Sequence, residues 1–349
     1  MRREMRKFIL AIILVASVFA SCEKYKTDKE VNENFKYNYE EFWKLIDEQY
    51  CFLAYKNIDW ESVYYKMMPV VEEVKTEQEF FNVLEASLDY LTDGHVWMIS
   101  PFKTYSCQTY LNDQNGEKYP ANFNFNNIKD NYLKETFRTK ESSIRFGEIE
   151  RDGKTYAYIY HSSFEKDWTE NDYKYIEPVV KGADGIIIDV RNNPGGSGEA
   201  GLKLAGNFFK AKTHIGYHAL KNGKGHDDFT ELKPIHVTPS QTHNWADKKT
   251  ILLTNRQVYS TANLFTSALK YAPNVTQIGG ISGGGGGMPM THYLPNGWLV
   301  VFPGNVLFDV NKQHIESGIE PDIQVDITDE DSDAGKDTIL ERALEELSK

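Results

Sequence analysis

The chain has 349 residues, carries 51 acidic against 39 basic side chains for a formal net charge of −12, and contains three cysteines. So acidic a chain repels phosphate backbones, which argues against nucleic acid as a partner. Three cysteines without clustered His/Cys spacing argue against a structural zinc site.

Residues 1–21 are a processing segment. Arg2, Arg3, Arg6 and Lys7 form a basic start, Phe8 to Phe19 is apolar but too short to span a bilayer, and the small residues Ala20 and Ser21 precede Cys22. The pattern resembles a bacterial lipoprotein signal, which implies that Cys22 becomes the lipidated first residue of the mature chain. A plain secretory peptide cut nearby is the alternative. On either reading the mature protein works outside the cytoplasm; with the lipid it is membrane-anchored, facing the periplasm or the cell surface. Removing the segment takes the formal charge to about −15. Cys51 and Cys107 then remain, and in an oxidising compartment they could pair if their Cα atoms lay within about 7 Å.

Residues 22–35 are polar and charged and read as a tether. A helical subdomain is expected over 36–104. Phe42, Leu45, Ile46 and Tyr50 share one face, and Val63, Met67 and Val71 another. A third helix starts at Thr76, with Glu79 completing a capping box, and buries Phe80, Leu84, Leu88 and Leu91. It ends at Gly94, and a strand-like run begins at His95. Residues 105–143, rich in Asn, Tyr and Lys, read as an irregular connecting segment.

From Ile144 to the C-terminus, short strands alternate with helices. Strands are predicted at Thr155 to His161, Gly185 to Val190, Ile251 to Thr254, Val275 to Ile278 and Trp298 to Phe302, with a short one at Ile323 to Val325. Helices fit at Asp172 to Lys181, Glu199 to Phe209, Ser260 to Tyr271 and Asp337 to Leu347. The alternation predicts an α/β core with a largely parallel sheet. The last helix carries Ile339, Leu340, Ala343, Leu344 and Leu347 on one face, so it should dock.

Four segments carry candidate chemistry. Asp189-Val190-Arg191-Asn192-Asn193-Pro194-Gly195-Gly196 ends a buried strand in a tight turn, where backbone N–H groups are available and glycines admit a substrate carbonyl. Alone it is an ordinary β-turn-α connection. Ser260 opens a helix, beside free N–H groups and the positive end of the helix dipole; its plainer role is to cap that helix. His95 stands at an element boundary and suits a general base. The segment His314 to Asp322 offers Glu316 or Glu320 as the carboxylate that orients a histidine. The tract Gly279 to Gly287 lacks the lysine of a phosphate-binding loop and reads as a substrate-lining or flexible loop.

In order, Leu-Thr-Asp-Gly-His at 91–95, the 189–196 segment, Ser260 on its helix and Gly-Ile-Glu-Pro-Asp at 318–322 resemble the tail-specific (C-terminal processing) serine peptidases. The resemblance covers most of the mature chain. It implies a ClpP/crotonase-like core of ββα units and hydrolysis of protein or peptide substrates without metal or organic cofactor. The processing branch of that family uses a lysine base near the position of Gly285, and Gly279 to Gly287 holds none. The tricorn-like branch instead pairs a histidine in the Asp-Gly-His segment with a late glutamate, and both are present. The resemblance therefore implies Ser260 as nucleophile, His95 as base and Glu316 as orienter, with backbone amides of Gly195 or Gly196 and of Thr261 as the oxyanion hole. Asn263 stands where the family often has Glu, and 105–145 leaves no obvious room for a PDZ-like domain. A rival reading is a binding lipoprotein that keeps this fold without catalysis, using some of the 21 tyrosines and six tryptophans as a ligand surface.

Overall fold

The computed structural model describes residues 34–113, 115–119, 122–138 and 143–349; the signal segment, Cys22 and most of the tether lie outside the described residues. Helix α1 (Phe35–Gln49) is capped by Asn34 and buries Tyr39, Phe42 and Ile46. Asp59 caps α2 (Trp60–Glu73). The Thr76/Glu79 capping box forms as its spacing predicts and opens α3 (Glu77–Leu88). One turn of 3-10 helix (Asp89–Leu91) follows, and the chain leaves it through Thr92 at φ 45°. The left-handed exit is thus Thr92, not Gly94. Gly94 is required for another reason: a Cβ there would lie 2.7 Å from the Tyr110 ring.

The remaining elements are β1 (Trp97–Ile99), β2 (Thr104–Ser106), α4 (Phe125–Asn131), β3 (Phe137–Arg138), β4 (Ile144–Arg151), β5 (Lys154–His161), α5 (Glu170–Gly182), β6 (Gly185–Asp189), α6 (Gly198–Ala205), β7 (Thr213–Leu220), β8 (Lys233–Val237), β9 (Thr250–Thr254), α7 (Thr261–Leu269), β10 (Val275–Gly279), β11 (Pro289–Tyr293), β12 (Leu299–Pro303), β13 (Asn305–Phe308), β14 (Ile323–Gln324), α8 (Asp329–Asp333) and α9 (Thr338–Ser348).

A seven-stranded sheet in the order β14-β10-β9-β6-β5-β4-β3 organises the core. β14, β10, β9, β6 and β5 run parallel, and β4 and β3 add antiparallel at one end. Such a sheet must be covered on both faces, which is why β6 and β9 read as unbroken apolar runs. Ile186, Ile188 and Leu252 pack with α5, α6 and α7, while Ile187, Ile251 and Leu253 pack under α9 through Ile339, Leu340 and Leu344. The C-terminal helix therefore docks, as its apolar stripe predicts.

The strand predicted at Trp298 to Phe302 forms as β12 but does not join this sheet. It lies in a four-stranded antiparallel sheet, β11-β12-β1-β2, with Trp97 opposite Val301. Its apolar face closes a second core shared with the N-terminal helices, where Trp298, Val300 and Phe302 meet Phe42, Phe80 and Phe81. A third sheet, β13-β7-β8, was not legible from periodicity. Segment 105–143 holds the end of β2, α4 and β3. Cys51 and Cys107 are both buried and free, so the pairing considered above does not form. Each thiol has a local partner instead, Asn305 O for Cys51 and Thr109 Oγ1 for Cys107.

Candidate active site

The turn after β6 and the turn before α7 are built against each other. Asn193 donates through Nδ2 to His161 O (2.8 Å), and its Oδ1 accepts the Gly195 N–H (2.9 Å). Asn193 O accepts the Tyr259 N–H at 3.0 Å. Gly195, at φ 101°, comes so close that a Cβ would lie 2.8 Å from Ser260 Cβ. Gly195 is thus needed for close approach, but Asn193 takes its amide, which removes it from the expected oxyanion donors. The amides of Gly196 and Thr261 have no acceptor among the described residues.

Ser260 sits between β9 and α7 at φ 56°, ψ −121°, and its side chain makes no capping bond. Serine avoids this conformation, so the surroundings must impose it. They do: the Ser260 N–H is held by Gly284 O at 2.9 Å. Its Oγ lies 2.9 Å from His95 Nε2, although 165 residues separate the two in sequence.

His95 is 4 % exposed. Asp93 Oδ1 accepts its backbone N–H (2.8 Å), and its ring lies against that of Tyr259, with centroids 4.8 Å apart. Burial pushes the imidazole below its ordinary value near 6.5; Asp93 opposes the shift and Lys56 adds to it. A neutral imidazole is the form that can take a proton from serine.

Glu316 is buried and Glu320 exposed. Glu316 does not meet the imidazole, however, and the expected orienting contact is absent. Its Oε1 is 2.7 Å from Lys56 Nζ, and its Oε2 accepts the Gly286 N–H at 2.7 Å. His95 Nδ1 has no hydrogen-bond partner among the described residues. The charged neighbour of His95 is instead Asp93, which also accepts from Tyr259 Oη (3.1 Å), Tyr50 Oη (2.8 Å) and Lys56 Nζ (3.3 Å). Burial opposes ionisation of Asp93, yet Lys56 and His95 outweigh it and hold the carboxyl below its usual range. Burial pushes Glu316 up to about 7 even though Lys56 opposes the rise, and Asp93 adds to it. One ammonium faces two carboxylates, and Asp93 is the stronger acid of the pair. Asp93 stood inside a quoted motif without a role, Tyr50 was read only as part of a helix face, and Lys56 and Tyr259 carried no sequence signal.

The glycine tract is a frame rather than a flexible loop. A Cβ at Gly284 (φ 85°) would lie 1.8 Å from Glu316 O, and one at Gly283 2.4 Å from Arg256 O. Asn263 finds its use here, donating to Ile315 O (2.8 Å) and accepting from Ser282 Oγ (2.6 Å). Gly285 and Gly287 line a cleft of about 550 Å³ in front of Ser260 and His95, whose apolar walls include Trp97, Leu264, Met288 and Leu307. Lys270 is paired with Asp322. Among the described residues, no three His, Cys, Asp or Glu side chains converge as a metal site would require.

A helix-opening serine on a strained turn, facing a buried histidine on an α/β core, is the arrangement that serine-type hydrolases use. Residues 155–325 match the profile of peptidase family S41, and residues 31–88 that of the tricorn protease C1 domain. A solved structure of a candidate peptidase from Parabacteroides merdae ATCC 43184 is 35% identical, with TM-score 0.81, over 90% of this chain and 96% of that one. The chain belongs to peptidase family S41. The carboxy-terminal processing protease CtpA of Bacillus subtilis (strain 168) is 26% identical over 150 residues, or 43% of this chain but only 30% of that protein. The structure of mature CPAF shares the fold at TM-score 0.66 and 12% identity, over 92% of this chain and 97% of that one.

Proposed function

We propose that the protein is a serine endopeptidase that cleaves peptide bonds of protein or peptide substrates through a Ser260 acyl-enzyme. The observation that carries this reading is the 2.9 Å contact between Ser260 Oγ and His95 Nε2 on a backbone that serine does not adopt unforced. As Oγ adds to the scissile carbonyl, His95 Nε2 takes its proton, and the buried Asp93 carboxylate favours the imidazolium that forms. The oxyanion faces the amides of Gly196 and Thr261; one such donor is typically worth about 3–4 kcal/mol of barrier. His95 returns the proton to the leaving amine, and water activated by the same imidazole hydrolyses the ester. Glu316 acts indirectly, by holding the glycine frame behind Ser260.

We further propose that the mature protein is exported and tethered to a membrane through lipid on Cys22, on the strength of the N-terminal pattern. Metabolic labelling with palmitate, lost in Cys22→Ala, tests this; a labelled Cys22→Ala protein would exclude it.

A fluorophosphonate probe tests the enzyme reading. The wild-type protein should be labelled at Ser260, whereas a binding protein of the same fold would not react. The rate also has a pH signature. Because burial holds His95 below 6.5, kcat/KM should rise along an acid limb centred below that value and be fully developed at neutral pH. A limb centred above 8 would point to a lysine or another base and remove His95 from this role.

A further inference from the structure

We propose that Lys56 is a positioning residue for this site: its ammonium ties the carboxylate that carries the base to the carboxylate that carries the frame of the nucleophile. The inference rests on the Ser260–His95 reading. Lys56 lies in the turn between α1 and α2, and its side chain is 14% exposed. Its Nζ reaches Glu316 Oε1 at 2.7 Å and, at 3.3 Å each, Asp93 Oδ2 and the carbonyls of Leu91 and Thr92. It lines a neighbouring cavity that shares Tyr110 and Tyr259 with the cleft but not Ser260 or His95, and its ammonium is engaged by Glu316 and Asp93, so it has no place among the reacting groups.

Two short chains of bonds leave this ammonium. Through Asp93 it reaches the backbone N–H of His95 and the hydroxyl of Tyr259, the residue before the nucleophile. Through Glu316 it reaches the Gly286 N–H, while the Glu316 carbonyl holds the Gly285 N–H at 3.1 Å and the Gly284 carbonyl holds the Ser260 N–H. The base and the nucleophile stand on elements far apart in sequence, and the ammonium is where the supports of both converge. Lys56, Asp93 and His95 come from the N-terminal part and Ser260 and Glu316 from the core, so the ammonium joins the two parts at the site. A buried ion pair alone is weak grounds for a stability role. Two buried carboxylates turned toward one lysine have instead the arrangement of a register pin.

The test uses the full mature chain, comparing wild type, Lys56→Met and Lys56→Arg for melting temperature, kcat and KM on an unstructured peptide, and the rate constant of fluorophosphonate labelling. Measurements are made well below each melting point, so that a role in stability alone would leave the labelling constant unchanged. Lys56→Met should lower kcat and the labelling constant together, by about 100-fold, with KM within about threefold of wild type. Lys56→Arg keeps the charge but displaces it; it should stay close to the wild-type melting temperature and lose about tenfold in kcat. It also decides the matter if Lys56→Met does not fold. A wild-type labelling constant in either folded variant would overturn the proposal and leave Lys56 a structural ion pair. A wild-type protein inert to the probe would instead sink the serine-peptidase reading, and this role with it.

Discussion

Ser260→Ala should lower kcat by roughly 10⁴- to 10⁶-fold while the protein folds normally. The loss is large because, among the described residues, Ser260 Oγ at 2.9 Å is the one hydroxyl held against His95 Nε2. The fold survives because the Ser260 side chain caps nothing, and because the turn is held by its backbone N–H on Gly284 O, which Ala retains. A second substitution separates the backbone from the chemistry. At φ 56°, ψ −121° any Cβ is strained, whereas glycine is not. Ser260→Gly should be as inactive as Ser260→Ala yet more stable, by about 1 kcal/mol. Denaturant titration and a casein assay on purified protein decide both points. Casein hydrolysis persisting in Ser260→Ala would remove the residue from the mechanism, and equal stability of the two variants would show that the turn is unstrained.

Arg191→Leu should be the most damaging substitution outside the cleft. Arg191 is fully buried and faces Asp189 at 2.6 Å and Asp337 at 2.8 Å. Tyr158 Oη adds a bond to Asp189 (2.7 Å), and Asp337 also caps α9 by accepting the Leu340 N–H (2.9 Å). The guanidinium therefore locks the end of β6 to the start of the C-terminal helix. Its removal leaves two buried carboxylates without a cation, which costs about 3–5 kcal/mol. Much of α9 should then lose its seat over Ile187, Ile251 and Leu253. Guanidinium unfolding monitored by far-UV circular dichroism reads the loss directly. A decrease below about 1 kcal/mol would mean that the cluster is not the anchor described here.

This result also separates two functions within one motif. Asp189 and Arg191 belong to the core, and only Asn193 to Gly196 belong to the site. In the sequence the eight residues are continuous, and nothing in their pattern marks the division. The division arises because β6 ends at Asp189: Arg191 ties Asp189 to Asp337 at the start of α9, whereas from Asn193 on it is the backbone, at Asn193 O and Gly195, that meets Tyr259 and Ser260.

Much of the fold was legible because it depends on local physics. Period-2 and unbroken apolar runs placed β5, β6, β9 and β10, the Thr76/Glu79 pair placed α3, and the apolar stripe of α9 announced its docking. β7, β8 and β11 were missed because half-exposed strands carry little periodicity: the burial of Thr213 to Leu220 alternates poorly, and β11 is largely exposed. β12 was placed as a strand but assigned to the wrong sheet, since pairing with Trp97 is a contact across some two hundred residues that apolar character cannot specify.

At the site, the sequence by itself determined the residue types and the turns that present them: a serine before a helix, a histidine after Asp-Gly, and a glycine tract without lysine. Only the tertiary structure decided which groups meet. Glu316 was a reasonable partner for His95 by type and order, yet hydrogen bonds act over about 3 Å and depend on direction. The packing of the 51–57 turn put a lysine where the imidazole was expected, and left Asp93 as the charge beside His95. Sequence patterns encode what a residue can do within a few positions along the chain. Which carboxylate serves which partner is set by the packing of elements far apart in the chain, and no local pattern records it.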